Sequence, residues 1–167
     1  MELCITLDAW LHIKAAVDFD ADSEVAFFGR ALVVDETILL DDILIPPQEV
    51  GGAHAELDVA RGDLDWLLTQ IMARGDQPEN WRVWGHSHAK MPTSPSAQDS
   101  ATLRMLARTR QTWAVGLVVG ATHEPTGWSA APHPVGGADI VSFTLPVVRD
   151  EYHDPAIADA VARTMRA

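Results

Sequence analysis

In the stretch WGHSHAKMPTSPSAQD, residues 84–99, two histidines flank one serine, and Ser96 and Asp99 follow after a seven-residue loop. On an extended backbone the side chains of residues i and i+2 project from the same face, so His86 and His88 can reach one ion. A helix starting near Ala97 would bring Asp99, in its first turn, to the same point. Two neutral imidazoles and one carboxylate leave a fourth tetrahedral position open for water, which is the arrangement of a catalytic rather than a structural zinc. Cys4 is the only cysteine, so no cysteine-based zinc knuckle competes and no internal disulfide can form. Each half of the stretch also has a plainer use. A strand histidine can simply pack or meet solvent, and Ser96-x-x-Asp99 is a competent helix N-cap. Only the combination points to a metal.

A hydrolytic metal site needs two further groups. Zinc can lower the pKa of its water to about 7, but a general base must still carry the proton to the leaving group. A hydrogen-bond donor must also meet the developing oxyanion. Ser96, beside the ligands, suits the donor role. Glu24, directly before VAFFG, is the candidate base, although taken alone it is a solvent-facing glutamate at a strand start. His123 and His133 share one loop and are ten residues apart; they fit solvated side chains better than a second metal pair.

The elements that must carry these residues follow from periodicity. LDAWLHIKAAVDF is expected to be a helix capped by Asp8, with Trp10, Ile13 and Val17 at helical spacing. EVAFFGRALVV and ETILLDDILI are expected to be two antiparallel strands turning at Asp35–Glu36, the second stopped by Pro46 and Pro47. PPQEVGGAHAEL, 46–57, is a loop by its Pro and Gly content. GDLDWLLTQIMARG predicts a helix with Leu64, Leu67, Leu68 and Ile71 in one apolar stripe and Gly75 at its C-terminal cap. WRVWG is a strand leading into the histidines; Trp81 and Trp84, three apart, should point to opposite faces. A helix over about 97–110 and a buried strand, WAVGLVVGA, come next. Residues 122–137 are loop-rich with a short strand at GWSAA, DIVSFTLPVV is one further strand, and a last helix starts at Asp154–Pro155. Helices interleaved with hairpin-forming strands predict an α/β protein with a mixed sheet.

At 167 residues the chain suits one domain, 1–167,. The net charge of −12 argues against nucleic acid as a partner, since a phosphate backbone calls for clustered Lys and Arg,. No apolar run approaches the ~18 residues that span a bilayer, and the N-terminus lacks the basic and apolar regions of a secretory signal. The expected location is the cytoplasm, with no membrane partner.

Glu24, then His86-x-His88, seven residues, and Ser96-x-x-Asp99 resemble the JAMM/MPN+ metalloprotease family, also called JAB domains. EVAFFGRALVVDE, IPPQEV and WGHSHAKMPTSPSAQD are most similar to its short, stand-alone prokaryotic forms. Ala26–Phe28 replace the small residues that often follow the glutamate, and Ala89 replaces a proline common after the second histidine. The resemblance implies a cytidine-deaminase-like α/β/α sandwich with a mixed central sheet and one Zn2+ per chain held by His86, His88 and Asp99. It implies Glu24 as general acid/base and Ser96 as the group stabilising the tetrahedral intermediate. The implied reaction is cleavage of a peptide or isopeptide bond after the C-terminal glycine of a ubiquitin-like protein, in a bacterial conjugation system whose operon-encoded enzymes would be further partners. The substrate tail would lie along an exposed strand edge, gripped by the loops 46–60 and 121–137. Alternatives are a phage- or cell-wall-associated peptidase of the same type and a non-catalytic MPN-type scaffold.

Overall fold

A computed structural model describes residues 2–19, 22–48, 63–110, 112–132 and 140–148. In chain order these form β1 (Glu2–Ile5), α1 (Leu7–Phe19), β2 (Ala26–Val34), β3 (Thr37–Leu44), α2 (Asp63–Ala73), β4 (Trp81–His88), α3 (Ala97–Arg110), β5 (Ala114–Gly120), β6 (Pro125–Pro132), β7 (Ile140–Leu145) and β8 (Val147–Val148). The strands make one sheet in the order β7-β6-β5-β4-β2-β3-β1-β8. β1 runs parallel to β3 and β8, and β4 parallel to β5; the other neighbours are antiparallel. The expected α/β class with a mixed sheet is what forms. No helix among the described residues is long and apolar enough to cross a membrane.

Side-chain alternation splits the interior into two cores. One joins α1 to Leu3, Phe27, Leu40, Val83 and Leu117; the other joins α2 and α3 to Phe28, Trp84, Val118 and Trp128. Helices therefore cover both faces of the sheet. α1 is buried at seven of its positions, and the hydroxyl of Thr6, not Asp8, accepts the Ala9 N–H at its start. Asp8 lies one turn too far in and is left as a first-turn carboxylate. α2 ends as expected: Gly75 has φ +69°, its N–H donates to Met72 O, and the Asp76 N–H donates to Ile71 O. That pair of bonds and the left-handed glycine make a Schellman cap. Leu67 and Ile71 are buried, but Leu68 is 43% exposed, so the apolar stripe is narrower than its spacing suggested.

Two bulges correct the expected faces. Gly29 pairs with Val83 but Arg30 pairs with Trp81, which leaves Arg82 as an extra residue in β4. The inserted residue reverses the alternation, so Trp81 and Trp84 bury in the same core instead of on opposite faces. A matching insertion at Asp41 in β3 follows from the pairs Arg30–Asp42 and Ala31–Leu40. The turn between β2 and β3 is the expected two-residue one, Asp35 taking φ +54°, a region that aspartate tolerates better than most residues.

Three further differences concern the edges. β1 went unforeseen because its alternation, buried Leu3 and Ile5 between Glu2 and Cys4, is only four residues long. The short strand expected at GWSAA extends to eight residues. DIVSFTLPVV is broken at Pro146, and its halves β7 and β8 lie on opposite edges of the sheet. The sheet must curl for one residue to join its two edges, and Pro146 O accepts the Leu3 N–H at 2.8 Å. Most of the loop 46–57, the helix expected from Asp154, the side chain of Leu64, and His133 lie outside the described residues.

Between the two bulges Arg30 makes a planar pair with Asp41, Nε to Oδ1 at 2.8 Å and Nη2 to Oδ2 at 3.1 Å. Its third nitrogen reaches Asp76 at 3.0 Å, and Asp76 also accepts Trp81 Nε1 at 3.0 Å. Burial pushes the Asp76 carboxyl up, but hydrogen bonds from the Gln77 N–H, Arg30, Asn80 and Trp81 outweigh it and hold the group below its usual range. A depressed carboxylate contributes stability that is complete above its unfolded value, about 3.9, and is lost as pH falls through the folded value. Asp76→Ala should therefore cost about 2 kcal/mol at pH 7. In urea unfolding followed from pH 7 to pH 3, the gap between variant and parent should close at the acid end.

Candidate metal centre

The histidines stand at the carboxyl end of β4, where the strand has the antiparallel β2 on one side and the parallel β5 on the other. The ends of parallel strands next to a helix N-terminus are where open α/β sheets bind ligands. α3 is the crossover between β4 and β5, so its first turn returns over that end. Glycine at position 85 lets the strand lie flat. Phe27, its cross-strand partner, sits so close that a Cβ at residue 85 would come within 2.2 Å of the ring. Trp128 covers Gly116 in the same way on the neighbouring strand.

His86, His88 and Asp99 are all buried, and their ligand atoms lie within 4.8 Å of one another. His86 Nε2 is 3.1 Å from His88 Nε2 and 3.4 Å from Asp99 Oδ1. Asp99 is aimed by a reciprocal cap: its Oδ2 accepts the Ser96 N–H at 2.6 Å while its own N–H donates to Ser96 Oγ at 3.1 Å. This is a capping box, and it leaves Oδ1 facing His86 and Oδ2 3.9 Å from His88 Nε2. The cap and the ligand set, separable in the sequence, are one device.

Proton placement shows how well these atoms suit a cation. His88 Nδ1 lies 2.6 Å from Pro92 O. A carbonyl only accepts, so His88 carries its proton on Nδ1 and presents a lone pair at Nε2. That outer hydrogen bond is the usual support of a metal-binding histidine. Burial pushes the His86 pKa down to about 4, with the Asp99 carboxylate opposing and His88 reinforcing the fall. His86 is thus neutral at pH 7. It can give an Nε2 proton to His88, or the two Nε2 lone pairs can converge on a cation beside Asp99. Its buried Nδ1 has no hydrogen-bond partner among the described residues. Three buried ligand atoms so close together, one of them from a carboxyl group, could be shared by a metal ion,. The group could hold such an ion with a coordination position to spare.

Glu24 and Ser96 are placed differently. Ala26 faces His86 across the β2–β4 ladder, and the Ser87 N–H donates to Val25 O at 2.9 Å. Glu24, which is buried, comes two residues before β2 and directly before Val25. Ser96 stands at the α3 cap. Its oxygen is used by the Asp99 N–H, and a hydroxyl that accepts one bond keeps its hydrogen to donate. His123 is a part-exposed residue of the turn between β5 and β6, with φ +63°, and its Nε2 lies 2.7 Å from Asp18 Oδ1.

Two contributors were not singled out in the sequence. Ser87 Oγ accepts the Val25 N–H at 2.9 Å and donates to Ser23 O at 3.4 Å, gripping both neighbours of Glu24. Its signal is its place: between two strand histidines it must face the other way. Pro92 acts through a backbone carbonyl, which side-chain identity does not announce. Compared with known proteins, the chain matches no family model and no curated protein.

With zinc as probe, metal-free protein should gain stability on titration, by about 2.7 kcal/mol when free zinc is 100 times its dissociation constant. His88→Ala and Asp99→Ala should abolish the shift in thermal midpoint. An unchanged midpoint in the parent would remove the metal centre.

Proposed function

We propose that the chain is a zinc-dependent peptidase of the JAMM/MPN+ (JAB) type, built on a cytidine-deaminase-like α/β/α sandwich. It acts on the bond after the C-terminal glycine of a ubiquitin-like protein, in deconjugation or precursor processing, in the cytoplasm of a bacterium with an operon-encoded conjugation system. The observation that carries the reading is the buried His86–His88–Asp99 group at the carboxyl end of β4, supported by a buried Glu24 next to Val25, whose carbonyl accepts the N–H of Ser87 between the two histidines. Two imidazoles and one carboxylate suit zinc among the divalent metals.

When bound, zinc would acidify a water and polarise the scissile carbonyl. Glu24 takes the water's proton and returns it to the departing amine, a lysine side chain or an α-amine. Glu24 itself is buried, which limits its contact with bulk water. Ser96 donates its hydroxyl hydrogen to the carbonyl oxygen as charge develops there, while its oxygen holds the α3 cap. His88, steadied by Pro92 O, and Asp99, steadied by the Ser96 N–H, keep fixed directions throughout. A flexible glycine-ended tail suits strand addition beside such a site.

The test is cleavage of a ubiquitin-like protein joined through its C-terminal glycine to a reporter amine. Glu24→Ala should keep one zinc per chain and lose about 10²–10⁴-fold in kcat. Zinc in the parent without cleavage would favour the scaffold alternative. Ser96→Ala should lower kcat about 10²-fold or more and cost about 1 kcal/mol of stability. Ser96→Asp, which can still cap but has no hydroxyl, should recover the stability and not the rate.

A further inference from the structure

β3 leaves the ladder with β2 at Leu44, paired to Phe28. Pro46 and Pro47 follow, and neither has an N–H with which to continue it. Backbone groups alternate in direction along β2: those of Val25 meet Ser87 on β4, and those of Ala26 point to the side that β3 has left. Gln48 fills that side. Its Oε1 accepts the Ala26 N–H at 2.8 Å, and its Nε2 donates to Ala26 O at 2.9 Å and to Pro46 O at 3.3 Å. A carboxamide offers an acceptor and donors in one plane, as a peptide group does. One side chain thus replaces the missing strand where the chain runs on to Glu24.

We infer that Gln48 is a positioning residue that holds the Glu24-bearing end of β2 in register with the histidine strand; its catalytic consequence rests on the reading of Glu24 as the general base. With Ser87 gripping Ser23 and Val25 from one side and Gln48 gripping Ala26 from the other, the segment around Glu24 is pinned on both edges. A buried backbone pair without partners is costly, so losing the carboxamide should let this end of β2 part from β4. A carboxylate displaced by about 1 Å can lose about 10²-fold in rate.

The experiment uses the full zinc-loaded chain with Gln48→Leu, which keeps the shape and loses every bond, and Gln48→Glu, which keeps the acceptor for the Ala26 N–H. In amide hydrogen exchange by NMR, Gln48→Leu should exchange about tenfold faster at Glu24, Val25 and Ala26, with Leu117 on β5 unchanged. Gln48→Glu should keep most of the protection at Ala26. In the cleavage assay, kcat of Gln48→Leu should fall about 10- to 100-fold with KM and bound zinc unchanged. Unaltered exchange at Glu24 and Ala26 would overturn the inference, and a rise in KM alone would assign Gln48 to substrate docking instead. If the parent cleaves nothing, the peptidase reading fails while exchange still decides the role of Gln48. If Gln48→Leu does not fold, Gln48→Glu, which loses the bond to Ala26 O, decides through Val25, whose N–H bonds Ser87: faster exchange there supports the inference, and parent-like exchange overturns it.

Discussion

Two imidazole nitrogens held 3.1 Å apart beside a carboxylate, all out of water, are the constraint on which this structure turns. Buried polar atoms must find partners, and these three could share a metal ion. Everything nearby serves that convergence. β4 supplies the spacing, the Ser96–Asp99 cap supplies the aim, and the Pro92 carbonyl fixes the proton of His88. Phe27 and Trp128 lie over the glycines of β4 and β5, where side chains would hold the rings off. Each of these is an ordinary local interaction; the geometry comes from their meeting at one strand end.

The opposite end of the sheet is built on a different principle. Arg30 sits between one-residue insertions at Asp41 and Arg82, and its guanidinium ties the bulged β3 to Asp76, just beyond the cap of α2. The insertion in β4 lets Trp81 join the core that Trp84 already occupies, while Val83 packs the other face of the site strand before the histidines are reached. The ion pairs fix the strand's starting register, and register fixes which side chains share the site.

How much of this could be seen in the residues follows from the range of each interaction. His86-x-His88 and Ser96-x-x-Asp99 are local patterns, so the cluster they form was legible. α2 was legible too, because Gly75 marks its end and Leu67 and Ile71 its buried side. What escaped depended on partners distant in sequence. β1 is strand because β3 and β8 lie beside it, and its own four residues carry little alternation. The reversal at Arg82 is visible only in the pairing with β2. Asp8 looked like a cap because it is acidic, whereas the chain reaches helical geometry earlier, at Thr6. Pro146 signalled a break, but nothing local says that the two halves of the strand go to opposite edges.

That break has a consequence for the order in which the chain can assemble. Leu3 pairs with Val147, Cys4 with Val148, and the amide of Leu3 is bonded to Pro146. The first strand is therefore flanked by one near it in sequence and one far from it. During synthesis its outer side stays open until residues 147–148 have emerged, and contacts so distant in sequence form slowly. An unpaired edge invites other chains, so the residues at 147–148 act as a late seal. Without that seal, β1 would present a sticky border at the side of the sheet far from the histidines.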